Sequence, residues 1–221
     1  MKDSPLTRRG ILGTISSIYD PLGLAGPFIL KGRKILQQIT MENSSWDEDI
    51  SPEMRSAWEK WRVELHTLQD LQTKRCYKPS SFKVVSSSLH NFSDASDYGY
   101  GQASYLRQVS EEGGICVSLV MGKSRVVPSK PTTVPRMELV AALVSSKVAA
   151  MLQEELDIGN LSRSYWVDSR VVLGYICNDV RRFRTFVANR VKKIRKLTEK
   201  GQWSYISTDS NLLMMHHVGY R

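Results

Sequence analysis

Three carboxylates, Asp94, Glu138 and Asp168, stand where a fold could bring them to one point. Asp94 closes an apolar run in Phe92-Ser93-Asp94-Ala95-Ser96, and Asp168 closes another in Trp166-Val167-Asp168-Ser169. Glu138 lies in the first turn of a segment opened by Pro135, in Pro135-Arg136-Met137-Glu138-Leu139. Acids at the C-terminal ends of neighbouring strands, joined by one from a packed helix, repel each other unless a cation sits between them. Hard oxygen donors of this kind suit Mg²⁺, and two such ions can activate a water and stabilise the leaving oxygen in phosphodiester hydrolysis. Each acid alone has a plainer reading. A strand-end Asp is commonly a turn or cap residue, and a first-turn Glu complements the helix dipole. The element order makes the three a candidate catalytic and metal-ligating set.

A second constellation is basic. The net charge is +9, and residues 181–200 alone hold nine Lys or Arg against one acid. Arg181, Arg182, Arg184, Arg190, Lys192, Lys193, Arg195 and Lys196, with Asn189 among them, flank an apolar stripe. A solvated helix face is the plain reading of such a run. Like charges at i, i+4 destabilise a helix, however, and a phosphate backbone would relieve that repulsion. Binding of that kind is sequence-independent and steeply salt-dependent. A nuclear-localisation patch is a further reading of the same residues.

The elements that must position these groups follow from periodicity. Before Lys78 the pattern is helical: 7–17, 28–40, and a third helix opening at Ser51-Pro52, where Ser fits the N-cap and Pro the first turn. Trp58 and Trp61 recur at i, i+3 on that third helix and read as core, with base stacking the sharper alternative. The serine-rich stretch 78–88 reads as a linker between a helical segment, 1–77, and a second domain, 89–221. In that domain the pattern predicts strands at 89–93, 101–106 and 115–121, with Glu111-Glu112-Gly113-Gly114 as a hairpin loop. A helix follows over 135–156, carrying Val140, Val144, Val148, Leu152 and Leu156 on one face. A strand at 164–167, helices at 169–178 and 183–200, and a strand at 203–207 complete the order, with Phe183, Val187, Val191 and Ile194 turned inward. Three consecutive strands followed by alternating helices and strands give an α/β chain of the α+β type, with a mixed sheet and helices packed on it.

Bulk properties narrow the setting. A chain of 221 residues with 41% hydrophobic content has room for one good-sized core plus a helical appendage. Its most apolar stretch, 11–30, is broken by Asp20, Pro21 and Pro27, so no membrane span is expected. The N-terminus lacks the apolar run of a secretory signal, which points to an intracellular protein, cytoplasmic or nuclear and not secreted. Cys76, Cys116 and Cys177 form no C-x-x-C pair and read as reduced thiols.

Phe92-Ser93-Asp94-Ala95-Ser96 with Tyr98-Gly99 and Tyr105-Leu106-Arg107 resembles the first hairpin of the ribonuclease H domain of BEL/Pao-type retrotransposon polyproteins. Pro135-Arg136-Met137-Glu138-Leu139 and Trp166-Val167-Asp168-Ser169 are similar to its next two motifs, and Arg184 to Val191 to its basic helix. Trp203-Ser204-Tyr205-Ile206, Thr208 and Asn211 resemble the approach to its final motif. Upstream, Arg9-Gly10-Ile11-Leu12, Tyr19-Asp20-Pro21-Leu22-Gly23 and Trp46-Asp47-Glu48 resemble the segment that links polymerase to ribonuclease H. The resemblance runs over residues 7–211. It implies a ribonuclease H-like fold behind a helical connection segment downstream of a reverse transcriptase, cutting the RNA strand of an RNA–DNA hybrid with two Mg²⁺ ions. It implies Asp94, Glu138 and Asp168 as ligands. It also implies a departure: the family's last motif, Asn-Pro-Ala-Asp, supplies a fourth ligand, and here Asn211 is followed by Leu212-Leu213-Met214-Met215, placing Met214 at that position. A thioether is a poor Mg²⁺ ligand. The expectation is therefore nucleic-acid binding with impaired hydrolysis and a truncated C-terminal helix. One alternative is an active Mg²⁺-dependent nuclease. The other is a non-catalytic remnant or interaction module that uses Trp58, Trp61 and the N-terminal helices. An aspartic protease is rejected, because Arg170 follows Asp168-Ser169 where the protease loop needs Gly.

Overall fold

The computed structural model describes residues 4–42, 45–70, 72–73, 76–180 and 182–211. Arg181 and Met214, both singled out above, lie outside them. The chain divides into two compact units, Met1–Thr73 with Pro128–Pro131, and Lys74–Val127 with Thr132–Arg221.

The first unit holds α1 (Arg8–Ser16), α2 (Gly26–Met41) and α3 (Pro52–Glu64). Each start has a local cause. The Thr7 hydroxyl accepts from Gly10 N, and Ser51 accepts from Met54 N with Pro52 in the first turn. The Asp20 carboxylate accepts from Leu24 N and Ala25 N, both at 2.9 Å, fixing the turn ahead of α2. Ile11, Ile15, Phe28, Ile39, Trp58 and Trp61 are among the residues of a buried core. Trp61 is completely buried, stacks between Phe28 and Trp58, and donates its indole N–H to Phe28 O at 3.0 Å. The tryptophan pair is thus core. The interaction-module alternative loses these two contacts, because Trp58 is only 2% exposed, and keeps the surfaces of the N-terminal helices.

Among the described residues the second unit forms a five-stranded sheet in the order β3-β2-β1-β4-β5. Its strands are β1 (Val84–Ala95), β2 (Gly99–Ser110), β3 (Ile115–Val126), β4 (Ser162–Val167) and β5 (Trp203–Tyr205). The first three pair antiparallel through tight turns. Gly113 takes φ +78 in the second turn, a conformation that favours glycine. A long helix, α4 (Val134–Glu155), then carries the chain back to the far side of β1, so β4 runs parallel to β1, and β5 parallel to β4. Strand β1 begins inside the segment expected to be a linker. Ser86, Ser87 and Ser88 pair with Val109, Gln108 and Arg107, since ladder bonds use backbone groups whatever the side chain.

The remaining helices are α5 (Arg170–Cys177) and α6 (Thr185–Leu197). Leu89, Leu106, Val120, Leu139, Val148, Tyr165, Val167, Val172, Ile176, Val191 and Ile194 belong to one core between sheet and helices. The seam of α4 differs from the valine stripe expected above. Val148 and Leu152 are buried as expected, and Val144 and Leu156 pack partly buried against the core, but Val140 is only partly buried while Ala141, Ala142, Ser145, Ser146 and Ala149 are buried. Small residues let the helix lie close to a sheet surface that is itself polar at Asn91, Ser93, Gln102 and Ser104. That polarity is largely paired: Ser104 Oγ donates to Asn91 Oδ1 at 2.7 Å, and Asn91 Nδ2 to Ser164 O at 3.1 Å. Helix α6 starts two residues later than expected, leaving Phe183 ahead of it with its ring edge against Tyr175. It stops at Leu197, where Thr198 Oγ1 donates to Ile194 O and accepts from the Trp203 indole.

Candidate active site and basic face

Topology decides where the acids go. The register of β1 and β4 pairs Phe92 with Trp166 and Ser93 with Val167. Asp94, the next residue of β1, and Asp168, the residue just after β4, follow this pair. Parallel neighbours lie about 4.8 Å apart, so the two carboxylates stand side by side at the C-terminal ends of the strands. Open sheets with parallel strands bind their ligands at that edge. Helix α4 packs against β1 and β2 and brings Glu138 in as its fifth residue, just past the first turn in which the sequence had placed it, because the helix opens at Val134 ahead of Pro135.

The electrostatics record the convergence. Burial first, then the charge of Asp168, and to a lesser degree that of Glu138, push the Asp94 carboxyl up to about 6, while a 2.6 Å hydrogen bond from Ala95 N works the other way. Burial and then Asp168 raise Glu138, against a hydrogen bond from Ser169. The Ser169 hydroxyl also accepts from Val172 N as the N-cap of α5. It therefore ties the helix that follows Asp168 to the acid on α4. On the other side, Ile206 N donates to Val167 O at 2.9 Å, and Thr208 Oγ1 donates to Asp168 Oδ2 at 3.4 Å. Gly101, the cross-strand partner of Asp94, sits where an added Cβ would lie 2.7 Å from Lys123 O. Ser169 carried a legible signal, a hydroxyl between a strand-end acid and a helix. Its bond to Glu138 had none.

The donor chemistry of Asp94, Glu138 and Asp168 fits a hard divalent cation: three carboxylates, of which two are raised by burial and mutual repulsion. Among the described residues, however, no three His, Cys, Asp or Glu side chains are gathered closely enough to hold an ion by themselves.

The basic residues divide into two groups. Val187, Val191 and Ile194 turn inward, and Asn189, Lys192, Lys193 and Lys196 are exposed, as are Arg182 and Arg184 just ahead of α6. Arg195 is engaged elsewhere. Its Nε donates to Ile176 O at 2.9 Å and its Nη2 to Asn178 O, so it closes the C-terminus of α5. Lys200 pairs with Asp179. Arg190 folds back over Phe186, its guanidinium 3.4 Å from the ring centroid.

A family model described as "Pao retrotransposon-like RNaseH-like domain" matches residues 7–169. No curated protein matches the chain. Several solved structures align with it at low identity. A ribonuclease H1 from the halophilic archaeon Halobacterium salinarum is 14% identical, with a TM-score of 0.37, covering 56% of this chain and 89% of its own. LC11-RNase H1, determined with an RNA/DNA hybrid, is 11% identical at a TM-score of 0.39, covering 58% and 90%. A foamy viral protease-reverse transcriptase, determined with double-stranded DNA, is 14% identical at a TM-score of 0.43. It covers 90% of this chain, which spans about a third (34%) of that protein. No helix among the described residues is long and apolar enough to cross a membrane.

Proposed function

Since the chain belongs to the Pao retrotransposon-like RNaseH-like domain family, we propose that it binds RNA–DNA hybrid, or nucleic acid of similar shape, and that its hydrolytic centre is impaired. The observation that carries this reading is the meeting of Asp94 with Asp168 at the parallel strand ends, with Glu138 near enough to raise Asp94. Two Mg²⁺ ions, when bound, would supply a nucleophilic hydroxide and stabilise the departing oxygen. Asp94, Glu138 and Asp168 would hold them. Ser169 orients Glu138, and Thr208 steadies Asp168. The exposed lysines of α6, with Arg182 and Arg184, meet the phosphate backbone and hold the duplex without reading its sequence. A ribonuclease H-like surface distinguishes hybrid from DNA by groove shape and the 2′-OH. The weak point is the fourth ligand position, where the order of motifs places Met214 and a soft thioether replaces a carboxylate. A reverse transcriptase domain is the natural partner for the helical first unit under the same reading.

The test is incubation with an end-labelled RNA–DNA hybrid in Mg²⁺, using the native chain, Asp94→Asn and Met214→Asp. The expected result is hybrid bound but uncut by the native chain, with cleavage appearing in Met214→Asp. Cleavage by the native chain that disappears in Asp94→Asn would overturn the impairment and leave an active nuclease.

A further inference from the structure

The first turns of α4 and α6 meet at an aromatic ring. The Phe186 ring has the Arg190 guanidinium 3.4 Å from its centroid and the Arg136 guanidinium 5.3 Å away. Arg190 is held there by a second bond, Nη1 to Phe186 O at 3.0 Å. Arg136 lies two residues before Glu138 on α4, and Arg190 lies close enough to Tyr100 on β2 to feel its hydroxyl. Tyr100 pairs across the hairpin with Ala95, the residue after Asp94. The ring and its two cations therefore border the acidic site.

Neither guanidinium has a carboxylate partner among the described residues. That arrangement is costly for the protein alone. Two like charges share one ring, burial lowers Arg190 from its ordinary value, and Arg136 sits in the first turn of α4, where the helix dipole disfavours a cation. The attraction of a guanidinium for a ring face offsets part of the cost. An anion within reach of both guanidinium groups would remove the rest. Guanidinium forks match a phosphate with paired N–H bonds, and an aromatic face presets their orientation.

We propose that Arg136 and Arg190, oriented by Phe186, grip a phosphodiester of the bound nucleic-acid strand beside Asp94, Glu138 and Asp168. The assignment rests on the nucleic-acid reading above and adds to it a position in the strand. Arg136 and Arg190 are the contacting residues. Phe186 is a positioning residue, because it acts through them.

The test measures affinity of the full chain for a fluorescent RNA–DNA hybrid across a range of salt, for the native protein, Arg136→Gln, Arg190→Gln, Arg136→Lys and Phe186→Leu. Circular dichroism and thermal melting of each variant accompany the titrations. Each Gln variant is expected to weaken binding and to reduce the slope of log K against log salt by about 0.9, the release of roughly one counterion. Arg136→Lys keeps the charge, so its slope stays native while its affinity falls, because an ammonium cannot form the planar fork. Phe186→Leu lowers affinity without lowering the slope. No hybrid binding by the native chain would sink the nucleic-acid reading itself. Native binding with unchanged affinity and slope in folded Arg136→Gln and Arg190→Gln would overturn this inference alone. Displacement of hybrid by millimolar inorganic phosphate at matched ionic strength would identify a small-anion site and overturn the strand assignment.

Discussion

Replacing Asp94 by Asn should stabilise the second unit at neutral pH while removing a ligand. The carboxyl sits at about 6 in the fold and near 3.8 in the unfolded chain. Its folded value is raised, so between those limits the folded state holds a proton that the unfolded state has released. Stability then falls as pH rises from about 4 to about 6, and above that range the full penalty remains. A gap of roughly two units corresponds to about 3 kcal/mol, and since the group keeps some contact with water, about 2 kcal/mol is the working figure. Asparagine carries no charge to desolvate, and its side-chain oxygen can still accept from Ala95 N. Urea unfolding in EDTA, monitored by circular dichroism from pH 4 to pH 8, should show native and Asp94→Asn midpoints merging at the acid end. By pH 7.5 the variant should lead. Adding Mg²⁺ at pH 7.5 should raise the native midpoint and leave the variant nearly unmoved, since a cation relieves the repulsion only where the charge exists. Equal stability at pH 7.5, with parallel pH profiles, would refute the claim that Asp94 is held above its ordinary range by burial and its neighbours.

Two further substitutions test the packing. Gly32→Ala should destabilise the first unit by about 1–2 kcal/mol, because the new Cβ would lie 2.6 Å from Trp61 Cζ2 and the indole is pinned by Phe28 O, the Phe28 ring and Trp58. Thermal unfolding followed by tryptophan fluorescence reads the loss, and an unchanged melting point would mean the indole can retreat. Arg195→Ala should cost about 1 kcal/mol by uncapping the carbonyls at the end of α5. It should leave the salt dependence of hybrid binding native, whereas Lys192→Ala and Lys193→Ala should lower it. A lowered slope in Arg195→Ala would return that residue to the nucleic-acid face.

How much of this was readable in the chain differs from element to element, for physical reasons. The acids were readable because a strand end is a local event: an alternating run stops, and an Asp stands at the stop. That Asp94 and Asp168 are neighbours needed one more step, the crossover through α4 that turns β4 parallel to β1, and the order of elements supplied it. The buried seam of α4 was read only in part, at Val148 and Leu152, because a search for large apolar residues passes over Ala141, Ala142, Ser145, Ser146 and Ala149. Close approach to a polar sheet selects for small side chains, and smallness leaves no hydrophobic period. The first strand was cut short for a related reason, since serine reads as loop although Ser86 to Ser88 are fully paired.

The basic run shows the limit most sharply. Composition alone makes its cations equivalent, yet Arg195 closes α5, Lys200 meets Asp179, and Arg190 lies on Phe186, a ring it shares with an arginine some fifty positions earlier in the chain. Charge density is a property of a segment, whereas the partner of each charge is a property of the fold. The cations left without a carboxylate are the ones with something to offer a phosphate. The acids follow the same logic with opposite sign: the burial and repulsion that lift Asp94 are a cost to the protein alone, and they mark the place where a cation would be held. On that argument the stability gained in Asp94→Asn and the binding lost in Arg136→Gln measure one thing, the free energy this unit carries in unpaired charge for the sake of a ligand.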